Sequence, residues 1–205
     1  MIQEIPTAGI ILAAGASKRF GQPKQLLRLK GKYLLEWVLD AALNSKLNRL
    51  VLVLGDSHQK IMQALDQKLQ HSKIQIAINP EFKQGQSTSI RAGLSIVKDH
   101  FAAVMFLLAD QPMLNSTTIN TLLESFWSAD KDICVPVCKG SRKNPTLFSR
   151  HFYRQLMRVE GDHGGRQLID ANRHQVLEIE MDDPLCFFDV DTQKDLEQIK
   201  TLMLI

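Results

Sequence analysis

The segment from Ala8 to Leu27, AGIILAAGASKRFGQPKQLL, restricts the possible folds more than any other part of the chain. It opens with an apolar run, Gly9 to Ala14, of the kind that makes a strand buried on both faces. The run passes directly into small and basic residues: Gly15, Ala16, Ser17, Lys18, Arg19, Gly21, Pro23 and Lys24. Small side chains let backbone N–H groups approach a ligand, and Lys and Arg add fixed positive charge. A buried strand ending in such a loop suits a polyphosphate. The G-x-x-x-x-G-K-[ST] phosphate loop is absent, and so is the G-x-G-x-x-G dinucleotide fingerprint.

Downstream, strand and helix patterns alternate. Gly31–Leu43 has helical spacing, Arg49–Leu54 reads as a second buried strand, and Ser57–Leu69 returns to helical period with Asp56 or Ser57 as its cap. Ile74–Ile78 is a third strand, closed by the turn pair Asn79-Pro80. Ala102–Leu108 is the most apolar strand and is expected at the centre of the sheet. Asn115–Trp127 reads as a helix and Ile133–Val137 as a further strand. Units of this kind argue for an α/β fold with a parallel sheet covered on both faces.

With 205 residues, 44% apolar and 23% charged, the chain supports one well-buried core and is not disordered. Its net charge of +3, from 25 basic and 22 acidic residues, is too small to imply nucleic acid. Three cysteines without C-x-x-C spacing give little support to disulfides or zinc, and Cys134 and Cys138 read as small apolar residues near a strand. No apolar run reaches membrane-spanning length and the N-terminus lacks a secretory pattern, so a cytoplasmic location is expected.

Four further segments carry chemistry. Gly85-Gln86-Ser87-x-Ser89 leads into a helix; taken alone, its serines are helix caps, with Ser87 a plausible N-cap. Asp110, in Leu108-Ala109-Asp110-Gln111-Pro112, stands at the carboxyl end of the central strand, where open α/β sheets bind ligands. Beside a polyphosphate its natural partner is Mg²⁺, although an isolated Asp there equally caps a turn. Gly161-Asp162-His163-Gly164-Gly165-Arg166 forms a second glycine-rich loop with an anion-gripping Arg, and Asp162 is suited to fixing it. Phe187–Leu196 (FFDVDTQKDL) places Asp189 and Asp191 on one face of a short strand, with Thr192 starting a last helix.

L-x-A-G-x-S-x-R-F-G-x-x-K, together with Leu-Ala-Asp-Gln-Pro, G-D-x-G-x-R and D-V-D-T, resembles the Rossmann-like nucleotidyltransferases of the molybdenum cofactor group. Within them the chain looks most like the cytidylyltransferases that serve molybdenum hydroxylases, since guanylyl-type relatives usually carry Gly where Ala14 stands. The resemblance implies a three-layer fold with a mostly parallel sheet, in one domain spanning 1–205. Residues 1–112 would form its nucleotide half and 113–205 its acceptor half. It implies that Leu12, Ala13, Ala14, Gly15, Ser17, Arg19, Lys24, Gly85, Gln86, Ser87 and Ser89 hold CTP. Lys24 would sit on the α-phosphate, Arg19 on the β- and γ-phosphates, and Asp110 with Asp191 on Mg²⁺. Asn144, Asp162, Gly164 and Arg166 would hold a molybdopterin-type acceptor, and a molybdenum hydroxylase would be the client. Lys143 departs from the glycine usual in the family before Asn144-Pro145. The rivals are a nucleotidyltransferase using a sugar or other phosphate acceptor, a GTP-using relative, and a cofactor-delivery protein without chemistry.

Overall fold

The computed structural model describes residues 4–15, 20–162 and 164–203. In chain order the elements are β1 (Thr7–Ala13), β2 (Arg28–Leu29), β3 (Lys32–Tyr33), α1 (Leu34–Leu43), β4 (Arg49–Leu54), α2 (His58–Ala64), α3 (Asp66–Leu69), β5 (Ile74–Ile78) and α4 (Gln86–Val97). They continue with β6 (Ala103–Leu108), α5 (Ser116–Ser128), β7 (Ile133–Cys138), β8 (Ser141–Arg142), β9 (Thr146–Ser149), α6 (Tyr153–Leu156), α7 (Arg166–Ala171), β10 (Val176–Glu180) and α8 (Gln193–Leu202).

The main sheet has the order β10-β7-β9-β6-β1-β4-β5, with β8 paired to β7. All pairings along that path are parallel except those of β9, which runs against both β6 and β7. Alternate strand residues face opposite layers, the period-two rule. Ile11, Leu50, Leu52, Leu54, Met105 and Leu107 pack with α1 and α5. Ile10, Val51, Val53, Val104 and Phe106 pack with Ile90, Leu94 and Val97 of α4 on the other face. Each such fully buried aliphatic side chain contributes roughly 1.5–3 kcal/mol. Three layers result. The apolar strand predicted to be central is β6, fourth of the seven strands on that path.

A third cluster joins distant parts of the chain. Leu27, Leu29 and Leu34 pack with Val190, Leu196 and Ile199, so α8 is anchored on the β2–β3 hairpin.

Several boundaries differ from the expectations. The helix expected from Gly31 starts at Leu34, because Lys30 (φ 47°) and Gly31 (φ 83°) turn the β2–β3 hairpin in left-handed conformations. Glu36 then caps the start of α1 by accepting from the Tyr33 backbone N–H at Oε2 (2.7 Å). The helix expected over Ser57–Leu69 is broken at Leu65 (φ −116°, ψ 15°), and the Ser57 side chain makes no cap bond. The N-cap of α4 is Gly85 rather than Ser87. No strand forms around Asp189 and Asp191. A 3-10 turn at Pro184–Phe187 is followed by irregular chain, which bonds to the end of β6 through Val190 N–H and the Asp110 carbonyl oxygen (2.9 Å). The antiparallel β9 and the edge strand β10 were not anticipated. Asn115 and Thr192 do cap α5 and α8 through their side chains.

Candidate active site

Lys24 begins a single 3-10 turn, Lys24–Leu26, that follows the loop after β1. The next residue, Gln25, is 5% exposed, and its Nε2 donates to the carbonyl oxygens of Ala13 (2.6 Å) and Gly15 (3.4 Å). This buried amide folds the chain back across the end of β1. Lys24 Nζ is thereby brought to Asp110 Oδ2 (2.7 Å) and Asp191 Oδ1 (2.9 Å). Asp110 lies two residues beyond β6, and Asp191 comes from the segment before α8. Beside them Gln111, itself buried, donates from Nε2 to Asp189 Oδ1 (2.9 Å). Two contacts thus tie the Asp189–Asp191 segment to the strand end: this amide bond and the Val190–Asp110 backbone bond.

Charge is arranged accordingly. Burial works against the Lys24 ammonium, yet Asp110 and Asp191 outweigh it and hold the pKa above the usual lysine value. Desolvation, then the neighbouring Asp110 carboxylate, pushes Asp189 above the ordinary carboxylate value, and the Gln111 bond only partly offsets this.

The same carboxylates suit a divalent cation. Asp110 Oδ1 is buried and accepts no hydrogen bond, while Oδ2 and the Asp191 oxygen converge on one point of positive charge. Among the described residues no group of three or more His, Cys, Asp or Glu makes a protein-only metal cage. One or two carboxylates completed by substrate phosphates is the donor set that Mg²⁺ favours.

Two clefts meet next to this cluster. The first, of about 600 Å³, is lined by Leu12, Ala14, Gly15, Gly85, Ser89 and Asp110 among others. The second, of about 740 Å³, includes Asn144, Arg166, Arg142, Lys143 and Arg173. Gln86 and Asp162 line both and form the divide between them. That divide is built tightly. Asp162 Oδ1 accepts from Gln86 N–H (3.1 Å), and the Gly161 carbonyl accepts from Ser87 N–H (3.0 Å). Gly85 has φ 109°, and a Cβ there would stand 2.6 Å from the Gly161 carbonyl carbon and 2.9 Å from Asp162 Oδ1. Only glycine fits. Asn79 braces the following turn by donating to Thr88 Oγ1 (2.8 Å) and Ser89 Oγ (3.0 Å).

The structure thus brings Lys24, Asp110 and Asp191 together. It places Leu12, Ala14, Gly15, Gly85, Gln86 and Ser89 on the first cleft, and Asn144, Asp162 and Arg166 on the second. Gly164 abuts the Gln86 amide. Ala13 turns its side chain into the core and offers its carbonyl to Gln25. Ser87 lines a separate hollow with Arg91 and Gly161. Ser17, Arg19 and His163 lie outside the described residues. Gln25, Asn79, Gln111 and the Arg142–Asp170–Glu178 ion pairs (2.9 and 2.7 Å) were missed. Their roles depend on partners 9 to 78 positions away, which the sequence does not show even where, as at Gln111 and Asn79, the residue itself stands in a recognisable motif or turn. Cys134, Cys138 and Cys186 are buried free thiols, which for Cys134 and Cys138 of β7 accords with their reading as small apolar residues near a strand.

A three-layer, mostly parallel α/β sheet carrying a cation–carboxylate cluster at its strand ends defines an enzyme of the nucleotidyltransferase class. The chain belongs to the MobA-like NTP transferase domain family, which it matches over residues 9–176. It is 26% identical to a probable molybdenum cofactor guanylyltransferase of Thermococcus sibiricus, over 94% of this chain and 96% of that one. It is 27% identical to the purine catabolism protein PucB of Bacillus subtilis, over 95% and 96% of the two chains. Among solved structures, Rv0371c of Mycobacterium tuberculosis superposes with a TM-score of 0.83 at 28% identity, covering 97% of this chain and 99% of that one. The same protein has been solved in complex with manganese (TM-score 0.79, 27% identity, 95% and 98% covered). Among the described residues no helix is long and apolar enough to cross a membrane.

Proposed function

We propose that this protein transfers CMP from CTP to the phosphate of a molybdopterin-type acceptor. The observation that carries the reading is the meeting of Lys24, Asp110 and Asp191, with Asp110 lining the first cleft and Gln86 and Asp162 shared between that cleft and the second. CTP occupies the first cleft, which Ala14 lines, and the resemblance of the Leu12–Gly15 loop to cytidylyl-type enzymes supports cytosine as the base. The acceptor occupies the second, whose Arg142, Lys143, Arg166 and Arg173 suit an anion. Residues 1–112 serve the nucleotide and 113–205 the acceptor, within one domain. Asp110 and Asp191 hold Mg²⁺, which when bound neutralises charge on the phosphates.

An acceptor phosphate monoester is ionised at neutral pH, so no general base is required. Its oxygen bonds to the α-phosphorus of CTP while the bond to the β-phosphate oxygen breaks, and pyrophosphate leaves with that electron pair. Lys24 contacts the α-phosphate and Arg19 the β- and γ-phosphates; Arg166 and Asn144 orient the acceptor. Catalysis then consists of positioning and charge neutralisation. A molybdenum hydroxylase is the proposed recipient of the product.

The name of the Thermococcus sibiricus relative favours GTP as a second reading of the base. Pyrophosphate release with molybdopterin-type cofactor and Mg²⁺, compared across CTP, GTP, ATP and UTP, tests both. Release with CTP alone is expected. Release with GTP alone replaces the base, and none from folded protein that binds CTP moves the assignment to another acceptor or to cofactor delivery.

A further inference from the structure

Asp110 and Asp191, the carboxylates assigned to the divalent cation, are both bonded to the Lys24 ammonium. One positive charge therefore already stands between the two oxygens that the ion needs. We propose that Lys24 occupies the cation position of the nucleotide-free enzyme, so that divalent metal enters with the nucleotide and not before it. This rests on the reading of Asp110 and Asp191 as the metal ligands.

The argument is one of competition. A lysine ammonium and a divalent cation cannot both sit at contact distance from the same two oxygens, because like charges at that separation repel strongly. The Lys24 side chain is 19% exposed and that of Asp110 24%, so this pair stands largely out of water, whereas Asp191 is 55% exposed and contributes the weaker hold. The α-phosphate offers Lys24 a new anionic partner. Once the ammonium has moved there, the carboxylates are free to bind the cation, Asp110 Oδ1 included. By linkage, nucleotide raises affinity for metal by the factor by which metal raises affinity for nucleotide. Lys24 is thus the residue through which the two ligands are coupled, besides its contact with the α-phosphate.

The test is a Mn²⁺ titration of the full chain without nucleotide, read by the electron paramagnetic resonance of free Mn²⁺. Lys24→Gln should bind Mn²⁺ about tenfold more tightly than the parent, a free-energy difference of about 1.4 kcal/mol. Lys24→Met should behave alike, and circular dichroism melts verify that both variants fold. Lys83→Gln removes a charge from the same cleft without vacating the cation position, and should change affinity less than about twofold. Lys24→Gln combined with Asp191→Asn should lose the gain. Adding CTP should tighten Mn²⁺ binding by the parent more than by Lys24→Gln. Equal affinities for parent and Lys24→Gln overturn the proposal. So does an equal gain in Lys83→Gln, which would mean net charge alone, or a gain that survives Asp191→Asn, which would place the ion elsewhere. The functional reading is judged separately by pyrophosphate release from the parent, whose failure leaves the Mn²⁺ pattern intact.

Discussion

The two clefts are made from different materials. The first is floored by the ends of β1 and β6, central strands whose side chains fill both cores, and its charged cluster is held by bonds to that framework. The second is walled by the two-residue strand β8, the six-residue helix α7 and Asp162 and Gly165 of the glycine-rich segment, with Val135 and Thr146 of the main sheet behind them. Its Arg142 is held by partly exposed ion pairs to Asp170 and Glu178, contacts worth little individually. Under the proposed assignment, chemistry common to many reactions sits where the backbone is least free to change, and recognition of a particular acceptor sits where it is freer.

Four substitutions probe that contrast. The largest effect belongs to Lys24→Ala, expected to lower pyrophosphate release by roughly 10²–10³ while the melting midpoint stays close to the parent's. Near-normal turnover would remove Lys24 from the chemistry. Gly85→Ala attacks the divide itself. Its left-handed φ and the contact with Gly161 predict a loss of roughly 1–3 kcal/mol in urea unfolding, and substrates on both sides should bind less well. Arg166→Ala should raise the acceptor KM by about tenfold with the CTP dissociation constant unchanged; a shift in CTP binding instead would mean that the clefts are not separable. The smallest effect is one of pH. Burial pushes the Cys134 thiol up to about 12 from 9.0. The unfolded chain therefore releases that proton first as pH rises, and stability falls above pH 9 but not below it. Cys134→Val should flatten that alkaline decline in melting midpoint and leave the values below pH 9 nearly level.

The contrast also explains what a reader of the sequence could see. β1, β4 and β6 announce themselves as apolar runs because both of their faces are buried, whereas β5, an edge strand, is legible only from its isoleucines and the Asn79-Pro80 turn that closes it. Asp110 is legible because it terminates the most apolar of them. β9 and β10 are short or half exposed, with Thr146 and Ser149 at the ends of one and Glu178 and Glu180 on the other, so no period separates them from loops. Asp191 does meet Asp110 through Lys24, but neither Asp189 nor Asp191 lies on the strand expected for them. Alternation in D-V-D fits an extended chain equally well, and only the Val190–Asp110 bond decides what that chain lies against. Ser87 looked like a cap because Ser commonly is one; the loop at Gly161 supplies the acceptor instead.

The small cluster that joins α8 to the β2–β3 hairpin sets when the enzyme becomes competent. Lys24 and Asp191 are separated by 167 positions, and apart from the main cores and the polar contacts at Asp110 and Gln111, a cluster of six buried side chains holds their two segments together. During synthesis the segments of β1, β4, β5 and β6 emerge well before Asp191 does, so the proposed site is completed late. In the finished protein, opening that cluster costs less than unfolding the sheet. Fraying of α8 would therefore silence the enzyme reversibly while almost every other part of it remained folded.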